Sequence, residues 1–389
     1  PPMSTLTLPQ PDFMQDEELR MFADAAQRFF SRAAPPERIQ KWVGDGQVER
    51  EFWTEVGEAG FLGVSLPEEY GGPGGDFRHD IVLCETCARL GLDGFAITLH
   101  NVIVSPYIQL HGTEEQKQRW LPKLVSGERV CAIAMSEPGA GSDLQAIRTT
   151  ALKDGDGYRI NGSKTFISNG QIADFIVVVA KTDPSKGARG VSLLVVETDK
   201  VEGFRRGNKL DKIGHEAQDT SELFFDDVYV PAANLLGGVE GKGFFQLMAE
   251  LPRERLIIAV NSVIAMEKAI NWTLDYTKDR KAFGQSVFEF QNTQFQLAAC
   301  KAKAVVARTF VNDCIEKACN GTLDNDTSAI AKMWVTDTEW EIMDACLQMH
   351  GGYGYVNEFP IAKQWKNSRI QRIYGGSNEI MKVLIARGL

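Results

Sequence analysis

The sequence predicts an α+β protein of three domains: an N-terminal helical domain, a central antiparallel β sandwich or barrel, and a C-terminal four-helix-bundle domain. A chain of 389 residues exceeds what one hydrophobic core usually serves. Helical periodicity dominates both ends of the chain, and short strand-like segments fill the stretch between them. We place the domains at residues 1–129, 130–236 and 237–389.

The N-terminal domain has the pattern of successive helices. Residues 17–31 and 49–60 are amphipathic, and the second segment ends at a glycine, as helices often do. Thr113 precedes two glutamates that suit the first turn of a further helix. Residues 67–75 are rich in glycine and proline, which predicts a loop.

The central domain contains short segments with strand composition, separated by turn residues. They are Ala151–Leu152, Tyr158–Lys164, Phe175–Lys181, Val191–Glu197, Phe204–Gly207 and Glu222–Val230. The pairs Asp156-Gly157 and Asn161-Gly162 predict hairpin turns. Because no helical pattern separates the segments, we expect antiparallel pairing and not the parallel sheet of dinucleotide-binding proteins.

The C-terminal domain returns to long, well-patterned helices that suit an antiparallel bundle. We predict them over Gly243–Asp279, Gln291–Gly321, Asp326–His350 and Asn378–Arg387.

Composition and charge exclude several classes of protein. The hydrophobic fraction of 43% and the charged fraction of 24% are ordinary for a globular protein. The net charge of −10 and the lack of a basic patch argue against nucleic-acid binding, and no apolar run approaches the ~20 residues that span a bilayer. Residues 1–11 have no signal-peptide or transit-peptide pattern. We expect an intracellular protein of the bacterial cytoplasm, with the mitochondrial matrix as the second possibility.

The cysteines and histidines indicate neither a disulfide framework nor a metal site. Seven cysteines, thinly spread, fit reduced thiols. Cys84 and Cys87 form a Cys-x-x-Cys, but they fall in mid-helix without a second pair, which favours a packing role. The five histidines show no ligand spacing, so we predict no metal.

The stretch 251–256, Leu-Pro-Arg-Glu-Arg-Leu, lies within the predicted helix 243–279. Glu254 falls on the apolar stripe of that helix. A carboxylate there either reaches solvent between its two arginine neighbours or stays buried with a raised pKa, which would make it a usable base. Pro252 predicts a local kink one turn away. The stretch by itself does not decide between these hypotheses.

Two motifs around the central domain have residues suited to a flat cofactor. The stretch 136–143, Ser-Glu-Pro-Gly-Ala-Gly-Ser-Asp, has small residues that let backbone amides approach a ligand, although it matches neither the Rossmann nor the P-loop pattern. The stretch 164–170, Lys-Thr-Phe-Ile-Ser-Asn-Gly, offers an aromatic ring beside hydroxyl groups. An ordinary turn and a core phenylalanine explain these motifs equally well.

Three further motifs lie in the C-terminal domain. The stretch 280–284, Arg-Lys-Ala-Phe-Gly, combines cations with an aromatic ring, as a dinucleotide would require, but it also fits a plain helix C-cap. The stretch 348–354 is Gln-Met-His-Gly-Gly-Tyr-Gly. The stretch 373–379, Ile-Tyr-Gly-Gly-Ser-Asn-Glu, opens the last helix with unhindered amides that suit an anion or a carbonyl oxygen.

Together, the order and spacing of these motifs resemble the acyl-CoA dehydrogenase flavoprotein family over essentially the whole chain. The resemblance rests on residues 136–143, 161–170, 280–284 with Gln291, 348–352 and 373–379. The position of the candidate base is most similar to that of the long-chain and isovaleryl-type members. The helix–β–helix division agrees with the fold of that family.

The resemblance implies an FAD between the β domain and the C-terminal helices. Residues of the β domain would bind the flavin: Ile133, Met135, Ser136, Gly141, Ser142, Phe166 and Ser168. Many members have Thr or Trp where this chain has Ser136, Phe166 and Ser168, which keeps the hydroxyl donors and an aromatic face. A second set would reach the FAD of a neighbouring subunit, which implies a homo-oligomer, usually a tetramer: Arg280, Phe283, Gln291, Gln348, Gly351 and Gly352. Ser377 and Glu379 complete the predicted cofactor site, and Ser142, Arg255 and Gly376 are predicted to contact the acyl-CoA.

Many members of the family have their catalytic Glu at the position of Gly375. Glycine cannot accept a proton through a side chain, whereas a minority of members place the base in a Glu-Arg-Leu context that residues 254–256 match. The resemblance therefore implies that Glu254 removes the α-proton while the Gly375 amide and a flavin hydroxyl polarise the thioester carbonyl. The β-hydrogen would pass as hydride to flavin N5, which leaves a trans-2-enoyl-CoA.

The implied function is an FAD-dependent acyl-CoA dehydrogenase acting on long-chain or branched acyl-CoA. Fatty-acid β-oxidation, branched amino-acid degradation and terpenoid degradation are equally open as its pathway. Its electron acceptor would be an electron-transferring flavoprotein. One alternative is an acyl-CoA oxidase that uses O₂, although such members usually have an extra C-terminal domain. Another is a catalytically silent CoA-binding member, which the flavin motifs and the candidate base argue against. Acyl chain length and branching are not readable from the sequence.

Overall fold

The computed structural model describes residues 5–389, so four residues of the stretch 1–11 lie outside the described part. Six helices form the N-terminal part: α1 (Glu17–Ala33), α2 (Pro36–Asp45), α3 (Arg50–Glu58), α4 (Phe77–Arg89), α5 (Ser105–His111) and α6 (Glu114–Ser126). A π-helical segment over 98–104 leads into α5. Thr113 caps α6 as the sequence predicts, because its side chain accepts from the Gln116 amide and the Gln116 side chain accepts from the Thr113 amide.

Seven strands follow and form one connected sheet. They are β1 (Cys131–Ala134), β2 (Thr150–Asp154), β3 (Gly157–Ser168), β4 (Phe175–Lys181), β5 (Val191–Glu197), β6 (Phe204–Lys209) and β7 (Thr220–Pro231). Their order is β1-β4-β2-β3-β7-β6, and β5 also pairs with β4. The predicted central β domain is confirmed. Most pairs are antiparallel, but β1 and β2 both run parallel to β4, so the sheet is mixed and not purely antiparallel.

The two predicted hairpin signals have different outcomes. Asp154 pairs with Gly157 across the turn that joins β2 to β3, so the Asp156-Gly157 turn is confirmed. The turn predicted at Asn161-Gly162 is wrong, because both residues lie inside β3 at a register shift in its pairing with β7. A Cβ at Gly162 would collide with Thr149, so the glycine provides room for close backbone approach and does not mark a chain reversal.

Five helices form the C-terminal part: α7 (Gly243–Asp279), α8 (Gln291–Cys319), α9 (Asn325–Met349), α10 (Pro360–Ser368) and α11 (Asn378–Ala386). A two-stranded hairpin, β8 (Lys281–Ala282) with β9 (Gln285–Ser286), joins α7 to α8. Helix α7 has the predicted bounds and continues through Pro252. Within residues 5–389, no helix is both long and apolar enough to cross a bilayer.

The hydrophobic clusters join the three parts into one molecule. Ile81 and Cys84 of α4 pack into the core of the C-terminal helices. Tyr107 of α5 and Phe175 of β4 share another core with Leu247 of α7. Helix α7 therefore contacts both the N-terminal helices and the central sheet, and the candidate site lies at this junction.

Candidate active site

A cavity of about 340 Å³ lies where α4, α7 and the central sheet meet. Its wall includes residues from the three predicted domains, which are distant in sequence. Seven of the predicted site residues line it: Ile133, Met135, Ser136, Phe166, Ser168, Glu254 and Gly375. The structure thus brings the candidate base, the candidate oxyanion position and the core of the predicted flavin site to one place.

Glu254 is buried and faces this cavity, so the hypothesis of a surface residue is wrong. It is 5% exposed, and its Oε1 accepts a hydrogen bond of 2.8 Å from the Tyr107 hydroxyl. Burial raises the pKa of Glu254 to about 7, and the charge of Glu250 adds to this shift, whereas Tyr107 and Arg255 oppose it. A carboxyl group with such a pKa is suited to accept a proton near neutral pH.

The wall formed by the β domain presents an aromatic ring to the cavity. Phe166 has a positive φ of 58° and lies in a register shift of β3, between Lys164 and Ile167. A bulge of this kind re-aims a side chain, and the Phe166 ring is 69% exposed as a result. Ser168, at the end of the same strand, lines the cavity beside it.

A buried ion pair supports this wall from behind. The Lys164 ammonium group contacts a Glu137 carboxylate oxygen at 3.0 Å and donates to the Met135 carbonyl at 2.9 Å. Glu137 also accepts from the backbone amides of Arg148 and Thr149. Burial lowers the pKa of Lys164 to about 8, against the opposing effect of Glu137. The pair fixes the segment that carries Met135 and Ser136 into the cavity wall.

Gly375 occupies a position that only glycine fills without strain. Its φ is 67°, and an added Cβ would collide with Ile258 of α7. The next carbonyl, that of Gly376, accepts a hydrogen bond of 2.8 Å from the buried Lys332 ammonium group. Lys332 also donates to Asn378 Oδ1 at 2.8 Å, which ties the glycine pair to the start of α11.

Four other residues that were predicted to bind FAD or acyl-CoA lie outside the cavity wall. Gly141 and Ser142 are in an exposed turn after β1. Arg255 is buried and directs Nη1 to Asn325 at 3.3 Å, so its guanidinium points toward α9 instead of the cavity. A Cβ added at Gly376 would collide with the Met381 side chain. The predicted contacts of these residues with acyl-CoA or FAD stay predictions.

The residues predicted to reach the FAD of a neighbouring subunit lie on other surfaces of the molecule. Arg280, Gly351 and Gly352 line a separate groove, in which the Arg280 guanidinium lies 6.0 Å from the Tyr353 ring centroid. Phe283 is 96% exposed at the tip of the β8–β9 hairpin. The remaining members of this set, Gln291 and Gln348, are exposed, and the two other predicted cofactor residues, Ser377 and Glu379, lie at the start of α11. Exposure of this set is compatible with contacts to a neighbouring subunit.

The structure adds residues that the sequence reasoning missed. Tyr107 contacts the candidate base, His111 contacts Glu250 at 3.0 Å, and Lys332 holds the Gly376 carbonyl. The four-residue spacing of Tyr107 and His111, and of Glu250 and Glu254, was a readable signal of two helix faces. The sequence predicts successive helices across this part of the chain, but no individual helix was delimited over 98–111, so the first spacing was not used.

The cavity residues fit a flavin ring. Phe166 offers an exposed aromatic face, and Ser136 and Ser168 offer hydroxyl donors on the same wall. Strand β1 supplies the backbone of Ile133 to that wall. An exposed phenylalanine in a positive-φ bulge has no packing role of its own, which favours a planar ligand against it.

Comparison with known proteins decides the family. Sequence models of the acyl-CoA dehydrogenase N-terminal, middle and C-terminal domains match residues 16–128, 132–228 and 241–389. The chain belongs to the acyl-CoA dehydrogenase family. Members of this family are FAD flavoproteins and oxidoreductases that act on acyl-CoA, so the predicted family, cofactor and enzyme class are confirmed.

Individual relatives agree with this assignment. The long-chain specific acyl-CoA dehydrogenase of Mus musculus mitochondria is 44% identical over 369 residues, which covers 94% of this chain and 85% of the mouse protein. The isovaleryl-CoA dehydrogenase of Pongo abelii mitochondria is 36% identical over 342 residues, 87% of this chain and 80% of that protein. The crystal structure of an acyl-CoA dehydrogenase from Geobacillus kaustophilus superposes with a TM-score of 0.94 at 47% identity, covering 97% of this chain and 99% of the other. The predicted three-part fold is confirmed.

Proposed function

We propose that this acyl-CoA dehydrogenase uses Glu254 as the base that removes the α-proton of its substrate. One observation carries the proposal: Glu254 is a buried carboxyl group in the same cavity as Gly375, where the usual catalytic Glu of the family is replaced by glycine. Ile258 occupies the space that a side chain at Gly375 would need. Glu254 on α7 therefore supplies the proton-accepting carboxylate that is missing at Gly375.

The environment of Glu254 suits this role. A pKa of about 7 leaves a large fraction of the group ionised at neutral pH, and the ionised form is still basic enough to take a proton from an activated carbon. The Tyr107 hydrogen bond holds the carboxylate in one orientation. Proton transfer to a base held in this way contributes roughly 10²–10⁴ to the rate.

Activation of the α-carbon is assigned to the loop before α11. The Gly375 amide lies at the cavity, where it can donate to the thioester carbonyl and stabilise the charge that develops when the proton leaves. Lys332 fixes the Gly376 carbonyl, two peptide units after this donor, so the loop that carries the Gly375 amide is tied to α9 before substrate arrives. A preorganised donor costs no reorganisation during the reaction.

The residues that would hold FAD are those of the β-domain wall, Ile133, Met135, Ser136, Phe166 and Ser168. Bound FAD supplies the acceptor for the β-hydrogen, which leaves as hydride to give the trans-2-enoyl product. In that site Ser136 and Ser168 would supply hydroxyl donors to the ring and Phe166 would supply an aromatic face. The buried Lys164–Glu137 pair keeps that wall rigid.

We propose a long-chain or branched acyl-CoA as the substrate. The cavity wall follows α7 from Glu254 to Lys268, a rise of about 21 Å along a helix. Cys84, Ala88 and Ala265 supply small side chains beyond the base. Beyond the base the lining combines these small side chains with polar ones such as Asn261 and Lys268, and a wall of this length has room for an acyl chain.

The assembly and the electron acceptor are part of the same proposal. The exposed set around Phe283 and Arg280 supports a homotetramer in which each subunit completes its neighbour's FAD site. Membership of the family supports an electron-transferring flavoprotein as the acceptor. We propose the bacterial cytoplasm as the compartment, and the mitochondrial matrix as the alternative because the mouse and Pongo relatives are mitochondrial.

Glu254→Gln tests the assignment of the base. The amide keeps the shape of the side chain but cannot take a proton, so we expect FAD binding to persist and anaerobic flavin reduction by acyl-CoA to slow by roughly 10²–10⁴. Stopped-flow absorbance of the flavin measures the reduction rate, and the flavin-to-protein ratio measures binding. Glu267→Gln is the matched control, since Glu267 is another buried carboxylate of α7 but pairs with Arg89 outside the cavity.

The opposite result has a defined meaning. If Glu254→Gln retains most of its reduction rate, Glu254 is not the base. Asp93, whose carboxylate also lines the cavity and accepts from Asn367 at 3.0 Å, is then the next carboxylate to replace.

A further inference from the structure

Helices α5 and α7 contact each other through two matched pairs of side chains. Tyr107 and His111 are one turn apart on α5, and Glu250 and Glu254 are one turn apart on α7. The Tyr107 hydroxyl donates to Glu254 at 2.8 Å, and His111 Nε2 lies 3.0 Å from Glu250 Oε1. The helices run antiparallel at this point, so each residue of one pair meets the corresponding residue of the other.

All four groups are shielded from water. Tyr107 is fully buried, Glu250 and Glu254 are 6% and 5% exposed, and the His111 side chain is 14% exposed. In such surroundings a hydrogen bond to a carboxylate is stronger than at the surface, and an unpaired carboxylate is costly. Two carboxylates one helical turn apart in a buried site therefore require partners.

Pro252 lies between the two carboxylates of α7. A proline in a helix interior has no amide hydrogen to donate to the carbonyl four residues earlier, so the backbone of α7 is weaker at this turn. The contacts from α5 are made to Glu250 and Glu254, two residues before and two residues after Pro252. Side chains of α5 thus hold the segment of α7 that carries the base.

We propose that the Tyr107 hydroxyl and the His111–Glu250 pair form a positioning device for Glu254, in which Tyr107 holds its carboxylate directly and His111 holds Glu250 one helical turn away. This inference rests on the proposed role of Glu254 as the base. Tyr107 and Glu250 touch or face the base, and His111 acts through Glu250. The three residues are therefore positioning residues.

Tyr107 and Glu250 shift the pKa of Glu254 in opposite directions. The groups that act on it are Tyr107 of α5 and Glu250 and Arg255 of α7. A hydrogen bond from Tyr107 stabilises the ionised form and lowers the pKa of Glu254, whereas the negative charge of Glu250 raises it. Arg255 lowers it as well, with its guanidinium directed at Asn325. Removing Tyr107's hydroxyl and removing Glu250's charge must then shift the titration of the base in opposite directions.

The test is a pH titration of the Glu254 carboxyl group in the full-length holoenzyme by difference infrared spectroscopy. The carbonyl band of the protonated acid is assigned to Glu254 by its loss in Glu254→Gln. We expect Tyr107→Phe to raise the titration midpoint and Glu250→Gln to lower it, each by roughly one pH unit, which is about a tenfold change in the protonation equilibrium. Tyr158→Phe is the matched control, because its hydroxyl donates to Glu240 at 2.6 Å away from the cavity, and it should leave the midpoint unchanged.

Variants of His111 test the positioning role in the reaction. His111→Gln keeps an N–H donor for Glu250, whereas His111→Leu leaves the Glu250 carboxylate without one. We expect flavin reduction to be slowed about tenfold or more in His111→Leu and largely restored in His111→Gln, with KM changing less than kcat. Equal losses in both variants, or a loss that only follows a lower melting temperature, would count against the proposal.

Failure of this inference is distinguishable from failure of the proposed function. If Glu254→Gln abolishes flavin reduction while Tyr107→Phe and Glu250→Gln leave the midpoint unmoved or shift it in the same direction, the positioning device is wrong and the base assignment stands. If Glu254→Gln retains flavin reduction, the base assignment is wrong, and the infrared midpoints still report whether the four side chains are coupled.

Discussion

Glu254 and Glu339 are both buried carboxyl groups, but their surroundings differ. Glu254 lines a cavity and accepts a hydrogen bond from Tyr107. Glu339, on α9, is fully buried, and neither of its oxygens has a hydrogen-bond partner among residues 5–389. Burial raises the pKa of Glu339 to about 8, while Ser262 and Gln371 nearby oppose the shift. A neutral carboxyl group at physiological pH is the state that this site accommodates.

Glu339→Gln should stabilise the protein increasingly as the pH rises. The folded pKa of about 8 lies above the value of 4.5 for an unperturbed Glu, so Glu339 contributes its full stability below about pH 4.5 and loses it as the pH rises through 8. The Gln amide does not titrate, so its contribution to the unfolding free energy does not change with pH. We expect the unfolding free energy of Glu339→Gln relative to the wild type to increase by up to about 1.4 kcal/mol per pH unit between these limits.

Denaturant unfolding at pH 5, 7 and 9 measures this difference, because these values cover most of the range between the unfolded and folded pKa of Glu339. Glu341→Gln is the control, because Glu341 is on the same helix and its side chain is 58% exposed beside Lys303. If the difference in unfolding free energy between Glu339→Gln and the wild type does not change with pH, Glu339 is not protonated in the native state.

At the scale of elements, α9 and the start of α11 are joined by buried polar contacts. Lys332 is fully buried and donates to the Gly376 carbonyl and to Asn378. Asn378 in turn donates to Thr336 and Asp337, so its side-chain amide has partners on both sides. Burial lowers the pKa of Lys332 to about 8, and Asp337 and Glu379 oppose that shift. One helix thus fixes the loop that carries the proposed oxyanion donor.

Lys332→Met should weaken both the loop and the reaction. Methionine fills a similar volume but leaves the Gly376 carbonyl without its donor, at a cost of roughly 1–3 kcal/mol. We expect a lower melting temperature and a reduced kcat/KM for acyl-CoA, because the Gly375 amide is no longer held. Lys303→Met on α8 is the control, since its ammonium group makes an exposed pair with Glu341. Unchanged kinetics in Lys332→Met would show that the loop keeps its geometry without this contact.

At the scale of the whole molecule, the cavity exists only because three parts of the chain converge. The base comes from α7, the proposed flavin wall from β1 and β3, and the far lining from α4. The domain boundaries predicted at residues 129 and 236 stay a prediction. A site built in this way positions its groups through packing between elements, which is why it depends on the shared hydrophobic cores.

Filling the far part of the cavity should change chain-length preference. Ala265→Leu adds three carbons to the cavity wall beyond the base, where the tail of a long acyl chain is proposed to lie. We expect kcat/KM for long straight-chain acyl-CoA to fall by about tenfold or more, while the value for a four-carbon acyl-CoA stays within about twofold. Kinetics with a series of saturated acyl-CoAs measures this, and the short substrate is the internal control. Equal losses at every length would place the acyl tail elsewhere.

Local patterns in the sequence determined the order of helical and β parts and most helix bounds, and the resemblance of its motifs to a known family added the candidate base. Helix α7 and strands β4 and β5 have the predicted ends, because hydrophobic periodicity and flanking turn residues act over short distances along the chain. Gly375 directed attention to Glu254, since an incomplete motif in one place requires the missing group in another. These conclusions needed no knowledge of distant contacts.

Tertiary structure alone decided which of those residues meet. The parallel pairing of β4 with β1, the direction of Arg255 toward Asn325 and the contact of Tyr107 with Glu254 all join residues far apart in sequence. Helix α5 is short and buried, so it lacks the polar face from which an amphipathic helix is recognised. The partners that set the charge and orientation of Glu254 come from that helix, and packing between distant segments determined them.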